Sequence, residues 1–148
     1  MSNEGRHGRA CHGRTGPPRR HLQLTLPASG QPVRLARQVT REVLGAWRLG
    51  SVEETAVLLV SELVTNAARH AGDTDAITLE LAAARTWLRI EVHRCRPGVA
   101  VPRTPGEFDE SGFGLVLVDS LAGRWGVRET MTGNIAWAEL DVRVEPGL

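Results

Sequence analysis

In the stretch SELVTNAARHAG, residues 61–72, Glu62 and Asn66 stand four apart in a run that otherwise has the spacing of an amphipathic helix. Residues four apart share one helix face. Both polar side chains therefore project together, while Val60, Leu63, Val64, Ala67 and Ala71 take the core side. An asparagine in a helix interior costs about half a kcal/mol relative to alanine. A short amide oxygen is a good hard ligand for Mg²⁺, and a carboxylate one turn away can orient or deprotonate a hydroxyl nucleophile. A solvated polar face would use the same two residues, so the pair alone leaves both readings open.

A second motif lies at SGFGLVLV, residues 111–118, where Gly112 and Gly114 precede an apolar helical run. Glycines at a helix start let backbone N–H groups approach a phosphate, which the helix dipole also favours. A flexible hinge into a buried helix would look the same.

These motifs need elements to hold them. HLQLTL, residues 21–26, alternates Leu22, Leu24 and Leu26 with the period of a half-buried strand. Val33, Ala36, Val39, Val43, Ala46 and Trp47 then form one helical stripe, with Gly50 as its stop. Ser51 and Glu54 have the spacing of a capping box opening a second helix, which runs to about Ala71 and ends at Gly72. AITLELAAA and TWLRIEVH predict adjacent strands, the second burying Leu88, Ile90 and Val92, so that position 94 inherits the buried parity. The Pro- and Gly-containing run 94–111 predicts a long loop, of the kind that is functional or mobile in a compact domain. A glycine-led helix follows, then two strands, RWGVRET and NIAWAELDVRV, joined by a turn at MTG. Five strands and three helices without strict alternation predict a two-layer α+β sandwich, a mixed sheet with the helices on one face.

The whole chain bounds the possibilities. Its 148 residues, 41% hydrophobic and 24% charged, suit one globular domain over residues 21–148. The opening segment 1–20, rich in Arg, Gly and Pro, has almost nothing to bury and is expected to be disordered. A net charge of +1 gives no general call for nucleic acid or an anionic membrane. The five arginines of the opening segment have no aromatic residues interleaved to stack on bases, so direct nucleic-acid binding is not expected. Every basic residue is arginine, which excludes a lysine phosphate clamp or Schiff base. Cys11 and Cys95 show neither disulfide nor metal-ligand spacing, and no run is apolar enough for a leader or membrane span, so a cytoplasmic protein is expected.

Together, ELVTNAARHAG on a helix, two strands, a Pro/Gly loop, GFGLVLVDSLAGRWGV and GNIAWAEL resemble the GHKL-type ATPase domain of histidine kinases, gyrase-like topoisomerases and heat-shock chaperones. Within it the run is most similar to the anti-sigma-factor serine kinases and their stand-alone ATP-binding relatives, over residues 21–142. The resemblance implies ATP and Mg²⁺ as cofactors, Glu62 as general base and Asn66 as the Mg²⁺ ligand. It also implies nucleotide contact along Gly112, Phe113, Gly114 and Leu115, and a mobile ATP lid from Arg94 to Ser111. The implied partners are a sigma factor and an anti-anti-sigma protein, and the implied assembly is a homodimer.

Three positions depart from that pattern. Arg94 stands where the family has an aspartate that accepts the adenine amino group, and a guanidinium has five donors and no acceptor. An unmade buried hydrogen bond to the base costs about 1–3 kcal/mol, roughly a five- to hundredfold loss of affinity. Phe113 replaces an Arg of this branch, and Ile135 replaces a Thr expected to touch the adenine region. These departures open two alternatives to an ATP-binding kinase, a degenerate binding module of the same fold and a guanine-selective pocket, and the Arg-rich opening segment leaves a third, a tail that binds DNA.

Overall fold

A computed structural model describes residues 17–27, 30–72, 75–95 and 118–142. Strand β1 spans Arg20–Leu26, helix α1 Pro32–Ala46, helix α2 Glu53–Arg69, and strands β2 and β3 Ala76–Ala83 and Trp87–Cys95. Residues 118–121 are helical and form the described part of α3. Strands β4 and β5 follow at Arg124–Glu129 and Gly133–Asp141. The sheet order is β1-β2-β3-β5-β4.

The two-layer α+β sandwich is as expected, but strand direction is not. All four ladders are antiparallel, where a mixed sheet was expected. A lone crossover helix returns the chain for parallel pairing. Here two helices packed on one another separate β1 from β2, so the chain crosses the sheet twice and re-enters it antiparallel. Strands β3 and β4 run parallel in direction, with β5 inserted between them, and 118–121 are the helical residues described in the connection.

Helix α1 starts with proline in its first turn, where the missing N–H has no intrahelical acceptor to lose. Its deepest side chains are Pro32, Ala36, Thr40 and Leu44, while Val33, Val43 and Trp47 pack at the margin of the core and Ala46 is exposed. Thr40 can be buried because its hydroxyl donates to the carbonyl of Ala36 at 2.7 Å. The stripe is therefore rotated toward Thr40 and Leu44 from the expected one. The helix is closed by Arg48 in the left-handed region (φ 63°), with the Leu49 N–H returning to the Leu44 carbonyl at 2.9 Å, and not by Gly50.

Gly50–Val52 form a 3₁₀ turn that leads directly into α2, so the expected capping box at Ser51 does not form. Helix α2 instead carries Glu53 and Glu54 in its first turn and Arg69 in its last, complementing its dipole. Its buried side chains include Val60, Leu63, Val64 and Ala67, as the spacing predicts. They meet Leu79, Leu81, Leu88, Ile90, Val92, Ala136 and Ala138 from the sheet in one continuous core.

Candidate functional site

Glu62 and Asn66 both lie on α2 and both are half-buried, one turn apart on the flank beside Leu59 and Leu63. Among the described residues neither side chain is drawn into an ion pair or hydrogen bond with the rest of the protein. The carboxylate and the amide are thus placed together, partly shielded from water, and not committed to a partner among the described residues. That donor set suits a hard cation at Asn66 and a proton acceptor at Glu62.

One further turn along the helix, the C-terminus of α2 meets Arg94. The alternation of β3 puts Arg94 on the helix side, and it is 3% exposed. Its Nη1 donates to the His70 carbonyl at 3.1 Å and to Asp75 Oδ2 at 3.4 Å, and its Nη2 donates to Asn134 Oδ1 at 2.6 Å. Asp75 Oδ2 in turn accepts the Gly72 N–H at 2.8 Å. The cation sits at the negative end of the α2 dipole, against a buried carboxylate. One guanidinium therefore ties the end of α2 and the starts of β2 and β5 to the end of β3.

Neighbouring backbone fits closely around this contact. Asn134 is the Cα partner of Arg94 across the β3–β5 ladder. A Cβ on the adjacent Gly133 would fall 1.8 Å from the Arg94 carbonyl oxygen, so only glycine lets the two strands meet there. At the turn the Gly133 N–H donates to Thr130 Oγ1 at 3.0 Å and the Thr130 N–H to the Gly133 carbonyl at 2.8 Å, closing the β4–β5 hairpin.

Several expectations shift accordingly. Arg94 is not an unpaired charge, because Asp75, Asn134 and the helix end receive it. It also lies within β3, as does the half-buried Cys95, so these two residues are strand where the expected loop and lid began. Ile135 shares a face with its partner His93, away from the helices, and the residue aimed at Arg94 is Asn134. Asp75 and Asn134 had no place in the sequence reading; the one signal was a buried polar residue beside a strand whose inward parity already held an arginine. Gly112, Phe113, Gly114 and Leu115, and the rest of the expected lid to Ser111, lie outside the described residues, as does most of the Arg-rich segment 1–20.

A separate groove of about 910 Å³ runs between α1 and α2, lined in part by Gln31, Arg34, Arg37, Arg41, Thr65 and Ala68. Neither Glu62 nor Asn66 lines it, and at about 100° per residue Ala68 lies well around α2 from both while Thr65 is nearer to Glu62. The groove is thus a different flank from the Glu62–Asn66 pair. No helix among the described residues is long and apolar enough to cross a membrane.

Comparison with known proteins agrees with this arrangement. No curated protein matches the chain. The model of the histidine kinase-like ATPase domain matches residues 26–140, from the end of β1 through nearly all of β5, and so takes in α2, the Arg94 contact and strands β2, β3 and β4. On that match the chain belongs to the histidine kinase-like ATPase domain family.

Proposed function

We propose that the protein is an ATP-binding regulator of the anti-sigma serine/threonine kinase type, acting in partner switching of transcription with a sigma factor or an anti-anti-sigma protein. The observation that carries this reading is the Glu62–Asn66 pair, half-buried on one flank of α2 and without a side-chain hydrogen bond or ion pair among the described residues. In this reading Asn66 would hold Mg²⁺ and Glu62 would accept the proton of an incoming hydroxyl. The ion, when bound, supplies charge neutralisation at the phosphates. Isothermal titration of the full chain with Mg-ATP tests the proposal: saturable heat that disappears in Asn66→Ala supports it, and no heat at millimolar nucleotide overturns it.

A second reading, a non-catalytic module of the same fold without tight ATP binding, rests on Arg94. Its fork is engaged by His70, Asp75 and Asn134, at the end of α2 where the family resemblance implies an acceptor for adenine. Restoring an acceptor by Arg94→Asp alone would set two buried carboxylates together with Asp75. The informative variant is Arg94→Asp combined with Asp75→Asn. Tighter Mg-ATP binding in this double variant than in wild type favours the second reading, and unchanged affinity removes it.

A further inference from the structure

The sheet face opposite the helices carries a cluster that the nucleotide reading leaves unused. Glu80 of β2 and Glu91 of β3 are Cα partners, and His93 follows two residues along β3 on the same face. Like charges directly opposite on one sheet face repel, so the arrangement calls for a cation between them. Both carboxylates converge on one atom: His93 Nε2 lies 3.0 Å from Glu91 Oε1 and 3.2 Å from Glu80 Oε1. The other oxygen of Glu80, Oε2, lies 2.5 Å from Nε2 of His21 on β1.

A single imidazole nitrogen carries at most one proton, so it cannot give both carboxylates a full hydrogen bond. A divalent ion can bind all three groups at once. One donor atom from each of Glu80, Glu91 and His93 lies within 4.8 Å of the others. Bonds of about 2.0–2.2 Å at tetrahedral angles separate donors by roughly 3.3–3.6 Å, close to the two distances from His93. The donors stand on paired strands, so the backbone ladder fixes the positions from which their side chains reach one another. Imidazole with carboxylates selects a borderline transition metal over Mg²⁺ or Ca²⁺.

We infer that Glu80, Glu91 and His93 form a binding site for a divalent transition-metal ion of the Zn²⁺ type, with His21 as a positioning residue that orients the Glu80 carboxylate. Ligating carboxylates are commonly held this way by a further hydrogen bond. Nearby Arg89 pairs more closely with Glu139, its Nε lying 2.9 Å from Oε2, than with Glu91, whose Oε2 is 4.0 Å from its Nη1. Because the cluster is on the far face of the sheet from Glu62 and Asn66, the inference stands or falls apart from nucleotide binding.

The test is titration of the metal-free full chain with ZnCl₂, followed by calorimetry and by thermal melting. His7, Cys11 and His12 remain in every protein compared, so the readout is the difference between wild type and variants. Wild type is expected to bind one equivalent of Zn²⁺ that His93→Gln and Glu91→Gln lose, with His21→Gln weakening it about tenfold. Melting in EDTA shows whether each variant is folded, and Glu80→Gln repeats the test from the neighbouring strand. Equal stoichiometry and affinity in wild type and in all folded variants overturns the inference.

Discussion

At the residue scale the Arg94 contact is governed by desolvation. With Arg94 and Asp75 side chains 3% and 1% exposed, neither charge has water to fall back on, and each depends on the other. Breaking such a pair by removing one partner costs about 3–5 kcal/mol, whereas replacing both by apolar groups of similar volume is near neutral. Arg94→Met is therefore expected to lower the urea midpoint strongly with little change in slope, and Arg94→Met combined with Asp75→Leu to recover most of the loss. Urea unfolding followed by circular dichroism checks this; a double variant no more stable than Arg94→Met would show that Asp75 is not the principal partner. The burial of position 94 was legible in the sequence because Leu88, Ile90 and Val92 set its parity. Its partners were not, because Asp75 and Asn134 lie 19 and 40 residues away and only strand register brings them in.

At the element scale the sheet's outer face has its own electrostatics. The His93 imidazole is raised above its ordinary value of 6.5, first by the hydrogen bond to Glu91 and then by the Glu91 and Glu80 charges, against burial and Arg128. Glu91 is lowered from 4.5, first by the His93 hydrogen bond, with Arg89 and Arg128 assisting. The raised histidine contributes stability that is full below its unfolded value and is lost as pH rises through the folded one. The lowered glutamate contributes stability present above its unfolded value and lost as pH falls through the folded one. In EDTA, the melting-temperature difference between wild type and His93→Gln is thus expected to be largest between 4.5 and 6.5, the two ordinary values. It should shrink as pH rises above 6.5 through the raised folded value, and a difference that stays flat with pH would dissociate His93 from Glu91. The same scale shows where local pattern misleads. Thr40 took the deepest place on α1 by bonding to Ala36, and the left-handed Arg48 ended that helix before Gly50 could. Both outcomes depend on backbone hydrogen bonds that a hydropathy stripe does not encode.

At the scale of the whole molecule, α2 is the element through which a bound nucleotide would reach global stability, since it packs on α1 and on β2, β3 and β5 together. A ligand that binds only the folded chain adds RT ln(1 + [L]/Kd), about 2.7 kcal/mol at a hundredfold excess over Kd. Asn66 opposes this in the absence of ligand, because asparagine within a helix costs roughly half a kcal/mol relative to alanine. Asn66→Ala should therefore melt slightly above wild type without nucleotide and clearly below it at saturating Mg-ATP, so that the two stability curves cross as nucleotide is added. A side chain kept only as a solvated helix position would give parallel curves with the alanine variant higher throughout. Thermal melting of both proteins across a Mg-ATP series separates these outcomes. The crossing, if found, identifies Asn66 as a residue retained at a cost to the apo fold for what it binds.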